Sequence, residues 1–308
     1  MVGEVAVLIP CWNEEKTIGA VVREFRDALP NAVVYVYDNN SRDETRDEAH
    51  RAGALVLREP TQGKGWVVKR MFAEINASWY VLVDGDGTYD PAAAAAMLEL
   101  AEAGGVAMVV GRRVRRSARA YRRGHAVGNR LFSWFIARLF GDRLTDVLSG
   151  YRVFSRAFVK SFPVFSGGFE IESELTIHAL TLGIPVAEMD TAYRERAAGS
   201  VSKLHTVRDG ARILWKVLVL FKNEKPLIFF GWLGGVCMAI AFVLAYPVVV
   251  TFLKTGLVPR FPTAILATGI AIYALIMFAC GLILDNVTKG RREVKLLAYL
   301  SAGLNRHV

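Results

Sequence analysis

Along the first third of the chain, short uninterrupted apolar runs alternate with longer segments in which apolar residues recur every three or four positions. The runs Glu4–Ile9, Ala32–Tyr37, Ala54–Leu57, Trp79–Val83 and Val106–Val110 predict strands, too short and too continuous for amphipathic helices. Between them, Glu14–Ala28 places Ile18, Val21, Val22 and Phe25 on one helical face. A helix is expected from the polar turn Asp38–Asp43 to about Arg51, with Ser41 as its cap. Gly63–Ala77 and Pro91–Ala103 read as further helices, the latter opening on proline and closing before Gly104-Gly105. Repeated strand–helix units imply an α/β fold, an open and mostly parallel sheet with helices on both faces. Ligands of such sheets bind outside the carboxyl ends of the strands. Asp38, Asp84 and Asp86 all fall there.

The pattern changes in the last third. Leu227–Leu253 and Thr263–Leu284 contain no charged residue, and each exceeds the ~20 residues a helix needs to cross hydrocarbon. Before them, Val207–Phe221 is amphipathic, with Arg208, Arg212 and Lys216 on one face, as at a bilayer surface. An arginine-rich stretch from Arg112 to Arg123, followed by an aromatic helix containing Trp134 and Phe135, predicts a second membrane-facing, phosphate-attracting surface. The expected organisation is a domain over residues 1–205, an interfacial helix over 206–225, two spans within 226–285 and a basic tail over 286–308. Lys222 and Lys225 flank the pair on one side and Lys289, Arg291, Arg292 and Lys295 on the other, which puts both flanks in the cytoplasm. A multi-pass protein of the inner (cytoplasmic) membrane, its first domain facing the cytoplasm, is the expectation.

Composition refines this picture. Of 308 residues, 53% are hydrophobic and the net charge is +9. No zinc-finger spacing or RNP-type motif accompanies the charge, so nucleic acid is not indicated, and basic clusters beside apolar segments suit anionic lipid and phosphorylated ligands. The cysteines, Cys11, Cys237 and Cys280, form neither a disulfide framework nor a metal spacing. The amino-terminal run lacks a basic region and a cleavage site, so it reads as the first strand and not as a signal peptide.

The sharpest chemistry lies in VLVDGDGTYDP, Val81 to Pro91. Asp84 and Asp86 stand two apart at a strand end, where alternate residues project to the same side. Two carboxylates so placed suit a hard divalent cation, Mg2+ or Mn2+, with a diphosphate completing its shell. Gly85 and Gly87 let the backbone approach a ligand closely. In IPCWNEE, Pro10, Asn13 and Glu14 could meet a nucleotide, or Asn13 could simply cap a helix. Lys64, between glycines in QGKG, is placed to bring a cation to a diphosphate. The segment TDVLSGYRVFSR supplies Asp146 and Arg152, GFEIESE supplies Glu170, Glu172 and Glu174, and RERAAGSVSK supplies Arg196, Ser200 and Lys203. Asp146 or Glu170 is a candidate neighbour of an acceptor, and the last loop a candidate cover over phosphates.

Taken together, IPCWNEE, YDNNSRDET, DGDGTYDP, SGYRVF, GSVSK and the two apolar spans resemble glycosyltransferase family two of GT-A fold, and within it the polyisoprenyl-phosphate glycosyltransferases. The resemblance implies inverting transfer of one sugar from a nucleotide-sugar, UDP-linked before GDP-mannose, to a polyprenyl-phosphate lipid at a membrane. It implies that Asp38 contacts the nucleotide, that Asp84 and Asp86 bind metal and diphosphate, and that Arg112, Arg113, Arg152, Arg196 and Lys203 hold phosphate. Asp146 would position the acceptor, which is already anionic and needs little help from a base. Some relatives carry a glutamine metal ligand where Thr88 stands here. The rival readings are a processive polysaccharide synthase, which lacks support because the QxxRW element is missing, and a non-catalytic membrane module, which the intact acidic motif opposes. A homo-oligomer is left open.

Overall fold

The computed structural model describes residues 4–115, 144–163, 171–194, 218–219 and 221–304. Seven strands form one sheet in the order β3-β2-β1-β4-β6-β5-β7. They are β1 (Val5–Cys11), β2 (Val33–Asp38), β3 (Leu55–Arg58), β4 (Trp79–Leu82), β5 (Met108–Arg115), β6 (Arg152–Ser155) and β7 (Val186–Tyr193). All neighbours run parallel except β6, which is antiparallel to both β4 and β5. The helices of this unit are α1 (Ile18–Ala28), α2 (Thr45–Arg51), α3 (Lys64–Glu74), α4 (Ala93–Ala103), α5 (Arg156–Ser161) and α6 (Ile171–Leu182).

The continuous apolar strands are explained by burial on both faces, because successive strand residues point to opposite sides. In β1, Val5, Val7, Ile9 and Cys11 enter one core cluster with Phe25 of α1 and Met97 of α4. Ala6 and Leu8 enter the other, with Val68 and Met71 of α3 and Leu175 of α6. At ~25 cal/mol per Å2 of buried apolar surface, these two layers are the main stabilising term of the unit. Since β1 has β2 on one side and β4 on the other, the order reverses between β1 and β4. The carboxyl ends of those two strands therefore frame the crevice where such sheets take ligands.

The expected strands and helices recur with shifted ends. Helix α1 starts at Ile18, not Glu14, because residues 14–17 form the turn that Thr17 and Ile18 close by donating to the Glu14 carbonyl at 3.0 and 2.9 Å. Helix α2 starts at Thr45, and Glu44 stands at its cap without a side-chain capping bond, its carboxylate accepting from Arg51 instead. Ser41 is thus no helix cap; its hydroxyl accepts from the Asn13 N–H at 2.8 Å. Strands β6 and β7 and helices α5 and α6 complete the unit beyond the expected elements.

The chain divides into two compact units, one comprising residues up to Thr206 together with Lys295 onward, the other Val207–Val294. The second contains helix α7 (Pro226–Thr255) and most of α8 (Phe261–Leu304). Both are long and apolar enough to cross a membrane, and only 11% and 17% of their most apolar windows are buried. A soluble core helix would hide that surface. Small residues bring the two backbones together: a Cβ on Gly234 would lie 3.0 Å from the Ala274 carbonyl, and one on Gly281 3.2 Å from the Phe230 Cβ. Residues 286–304, expected as a tail, continue α8 as helix. Near its basic stretch Arg292 donates to the Glu224 carbonyl at 2.6 Å and Thr288 to that of Asn223 at 3.2 Å.

Candidate active site

The loops that follow β1 and β2 are knitted together by side chains bonding to backbone. Asn13, with φ 52°, accepts from the Arg42 N–H at 2.9 Å through its Oδ1. The Glu14 N–H donates to Thr45 Oγ1 at 2.8 Å. Asp38, buried at the end of β2, accepts from the Ser41 N–H at 3.1 Å and lies 3.9 Å from Arg46 Nε. Asn39 reaches further: its amide donates to the Thr61 carbonyl at 2.7 Å and its Oδ1 accepts from the Gly63 N–H at 2.6 Å. That bond fixes Gly63, whose φ of 137° needs glycine, and so aims Lys64. Asn39 was not singled out in the sequence, although an amide just beyond a strand end is a common way to tie adjacent loops.

The acidic turn leaves β4 against α1. Thr17 donates to the Gly85 carbonyl at 2.7 Å. A Cβ on Gly85 would stand 2.6 Å from Cys11 Sγ, so the turn can sit this close only with glycine. Asp84 and Asp86 then make separate contacts. Asp84 Oδ1 accepts from Lys64 Nζ at 2.5 Å, and its Oδ2 lies 2.6 Å from where a Cβ on Gly150 would be. Asp86 is buried and accepts through Oδ1 from the Thr88 hydroxyl at 2.6 Å. It also borders a cleft of about 250 Å3 with Lys16, Thr17, Tyr89 and Arg194.

Lys64 also donates to Glu172 Oε1 at 2.5 Å. Burial opposes its charge, but the attraction of Asp84 and Glu172 outweighs that and holds the ammonium well above the ordinary lysine range. An ammonium thus already rests on Asp84. The residues fit a divalent cation: the aspartates are hard oxygen donors, and Asp84 holds a positive charge as it stands. Among the described residues no group of three or more His, Cys, Asp or Glu forms a complete cage, so phosphate oxygens would have to fill the shell. Thr88 spends its hydroxyl on Asp86.

A second charged cluster lies where β5 and β6 meet the loop before β6. Arg113 grips Asp146 in a fork, Nε to Oδ2 at 2.7 Å and Nη2 to Oδ1 at 2.6 Å. Burial disfavours the Arg113 charge, yet the hydrogen bonds to Asp146 raise its pKa further above the arginine range. Glu188 accepts from the N–H groups of Thr145 and Asp146 at 2.8 and 2.9 Å, fixing the loop. Arg112 points elsewhere, to an exposed pair with Asp190 at 2.5 Å. The neighbours Arg112 and Arg113 therefore do not share a site, as alternation along a strand requires. Arg152 is fully buried, its donors spent on the carbonyls of Ser149 (2.9 Å) and Val147 (2.6 Å) and on Thr176 Oγ1 (2.9 Å). Burial lowers its pKa to about 10. It braces the loop and offers no face to a phosphate, contrary to expectation. Tyr89 ties the clusters: its hydroxyl accepts from the Gly150 N–H at 2.9 Å, and its pKa responds to Arg113, Asp84 and Lys64 after burial, the largest influence. Arg196, Ser200, Lys203 and Glu170 lie outside the described residues, as do residues 131–140 and most of 207–221.

Residues 6–162 match the family described as glycosyl transferase family 2. Glycosyltransferase AglJ of Haloferax volcanii is 32% identical over 294 residues, 94% of this chain and 95% of that protein. The chain belongs to glycosyl transferase family 2. A second Haloferax volcanii member, named dolichyl-phosphate hexose transferase, is 28% identical over 72% of this chain and 96% of its own. Among solved structures, glucosyl-3-phosphoglycerate synthase from Mycobacterium tuberculosis, in complex with Mn2+, uridine diphosphate and phosphoglyceric acid, aligns with a TM-score of 0.58 and 22% identity. The alignment covers 71% of this chain and 78% of that one. The family 2 glycosyltransferase described here has the GT-A fold, with two apolar helices after it.

Proposed function

We propose that this family 2 glycosyltransferase moves a single sugar from a nucleotide-sugar to polyprenyl phosphate, with inversion, using Mn2+ or Mg2+ at Asp84 and Asp86. The observation that carries the acceptor is the helix pair, whose apolar windows are 11% and 17% buried. A chain with both a diphosphate-type crevice and hydrocarbon-facing helices suits an acceptor that itself resides in lipid. The name of the dolichyl-phosphate hexose transferase relative supports the same class. The Mn2+ and uridine diphosphate bound by the solved neighbour support the metal and a UDP-sugar donor.

The chain's own residues divide the work. Asp38 and the loop with Pro10, Asn13 and Glu14 receive the base and ribose, and Lys64 and the Gly85 backbone face the diphosphate. When bound at Asp84 and Asp86, the cation neutralises charge on the departing nucleoside diphosphate. An acceptor phosphate oxygen forms a bond to the anomeric carbon from the opposite side while the bond to the diphosphate oxygen breaks, the electron pair leaving with the diphosphate. The attacking oxygen is already anionic, so no proton has to be removed. Asp146, held by Arg113, shapes the acceptor side, and Arg196, Ser200 and Lys203 are candidates for its phosphate. The protein's contribution is alignment and charge stabilisation. The basic flanks of the helices support a reading in which the first unit faces the cytoplasm, in a multi-pass protein of the inner membrane.

The test is a panel of radiolabelled UDP-sugars and GDP-mannose with the full chain in detergent, undecaprenyl phosphate as acceptor, and Mn2+, Mg2+ or chelator. Label should move to the chloroform phase as a single sugar, and only with metal. Transfer to phosphoglyceric acid and not to lipid would overturn the acceptor, and a long polymer would favour a synthase.

A further inference from the structure

Lys64 faces one carboxylate too many. Its ammonium has three donors, and within the described residues they meet both Asp84 Oδ1 and Glu172 Oε1 at 2.5 Å. The two carboxylates differ in exposure: the Asp84 side chain is 32% exposed, that of Glu172 only 8%. An arriving ligand therefore reaches Asp84 and the lysine, with Glu172 behind them. A buried carboxylate stripped of its cation is strongly unfavourable, whereas a half-exposed one can exchange partners. Arg152 also attracts Glu172, but its hydrogen bonds go to Ser149, Val147 and Thr176.

We propose that Glu172 is a positioning residue that tethers Lys64, so that the ammonium turns from Asp84 to the donor diphosphate without leaving Glu172. The flexible lysine stem permits that turn about a retained contact. The exchange frees the Asp84 carboxylate for the cation at the moment the diphosphate takes its place on Lys64, so diphosphate and metal favour each other's binding. The backbone frames the motion at both ends. Asn39 fixes Gly63 ahead of the lysine, and the Glu172 carbonyl accepts from Thr176 Oγ1 at 3.1 Å, on the hydroxyl that also takes a bond from Arg152.

This inference rests on the donor-site reading above, and its test separates the two. Calorimetric titration of UDP, and of GDP, into the full chain in detergent with Mn2+ compares wild type, Glu172→Gln, Lys64→Met and the double variant. Loss of a charged partner should weaken binding about tenfold in Glu172→Gln and about thirtyfold in Lys64→Met. Because Glu172 acts through Lys64, the double variant should bind within about twofold of Lys64→Met alone. Unchanged binding in Glu172→Gln, or losses that multiply in the double variant, overturns the tether. A melting curve shows whether each variant folds. Should Glu172→Gln not fold, Glu172→Asp decides: the charge is kept but set back by one methylene, binding should weaken about threefold, and unchanged binding overturns the proposal. A wild type that binds neither nucleotide with Mn2+ removes the donor-site reading itself, a result distinct from loss of the tether.

Discussion

Two buried ionic clusters occupy one end of the sheet, and they are balanced differently. Around Lys64, one ammonium faces Asp84 and Glu172. At the β5–β6 side, one guanidinium meets one carboxylate in the Arg113–Asp146 fork, and Glu188 secures the loop beneath it. Among the described residues the fork engages both Asp146 oxygens, with the planar geometry that makes arginine a rigid partner. The unbalanced cluster divides a single mobile ammonium between two carboxylates, while the buried Arg152 guanidinium attracts Glu172 from outside the hydrogen-bonded set. The way charge is shared thus separates the part of the site whose ion pairs can exchange partners from the part that shapes the space around it. Both kinds of cluster are expected where catalysis depends on positioned charge.

The contrast is broken most severely at Asp84. Asp84→Asn leaves the lysine ion-paired to Glu172 alone and removes one of the two carboxylates proposed to hold the metal. The proposed sugar transfer to lipid should fall by about a thousandfold, with the melting midpoint little changed. Retained turnover with the usual metal requirement would contradict the assignment. The matching change on the other side acts on stability. Arg113→Met removes the forked guanidinium from Asp146, which is 5% exposed, and should cost about 3 kcal/mol in chemical unfolding of the full chain in detergent. Replacing both members of the fork by apolar residues should recover most of that loss. If the single change proves neutral, the pair is not a structural unit.

Much of this contrast was written in residue order, and part of it was not. The runs that became β1, β2 and β4 were legible because burial on both faces leaves no polar position inside them, and their ends located Asp38, Asp84 and Asp86. Glu172 was hidden for a geometric reason. Three glutamates alternate in GFEIESE, and on a helix residues two apart face different ways, so spacing alone does not say which one meets a lysine from a distant loop. Arg152 misled through its charge. It sits in β6, between β4 and β5, where both faces are covered and its guanidinium serves the Ser149 and Val147 carbonyls and the Thr176 hydroxyl. The apolar neighbours in SGYRVF were the available sign of a central strand. Arg112 misled through adjacency, since alternation sends it and Arg113 to opposite faces.

A subtler perturbation probes how closely the acidic turn must sit against β1. Gly85→Ala would place a methyl group 2.6 Å from Cys11 Sγ. Displacing the turn at a cost of about 1–3 kcal/mol should weaken UDP binding by roughly tenfold or more. Cys11→Ala in the same chain removes the obstacle and should restore most of the affinity. If the second change restores nothing, some other contact limits the turn.

The mildest change tests the same turn from its other side. Thr17 donates to the Gly85 carbonyl at 2.7 Å from the segment leading into α1, and its contacts to the Glu14 carbonyl and carboxylate are longer, at 3.3 and 3.4 Å. Thr17→Val keeps the shape and removes the donor. The carbonyl it leaves is beside the crevice, where a ligand-free turn can recruit water, so the loss should be near the ~1 kcal/mol of an ordinary hydrogen bond. That corresponds to about a fivefold weaker UDP affinity with Mn2+ if the turn must hold this bond to bind, and to a lowering of the unfolding midpoint smaller than that of Arg113→Met. A larger loss would mean that Thr17 holds the unbalanced cluster as firmly as the fork holds the balanced one, and the division between a ligand-responsive and a rigid half would have to be redrawn at α1.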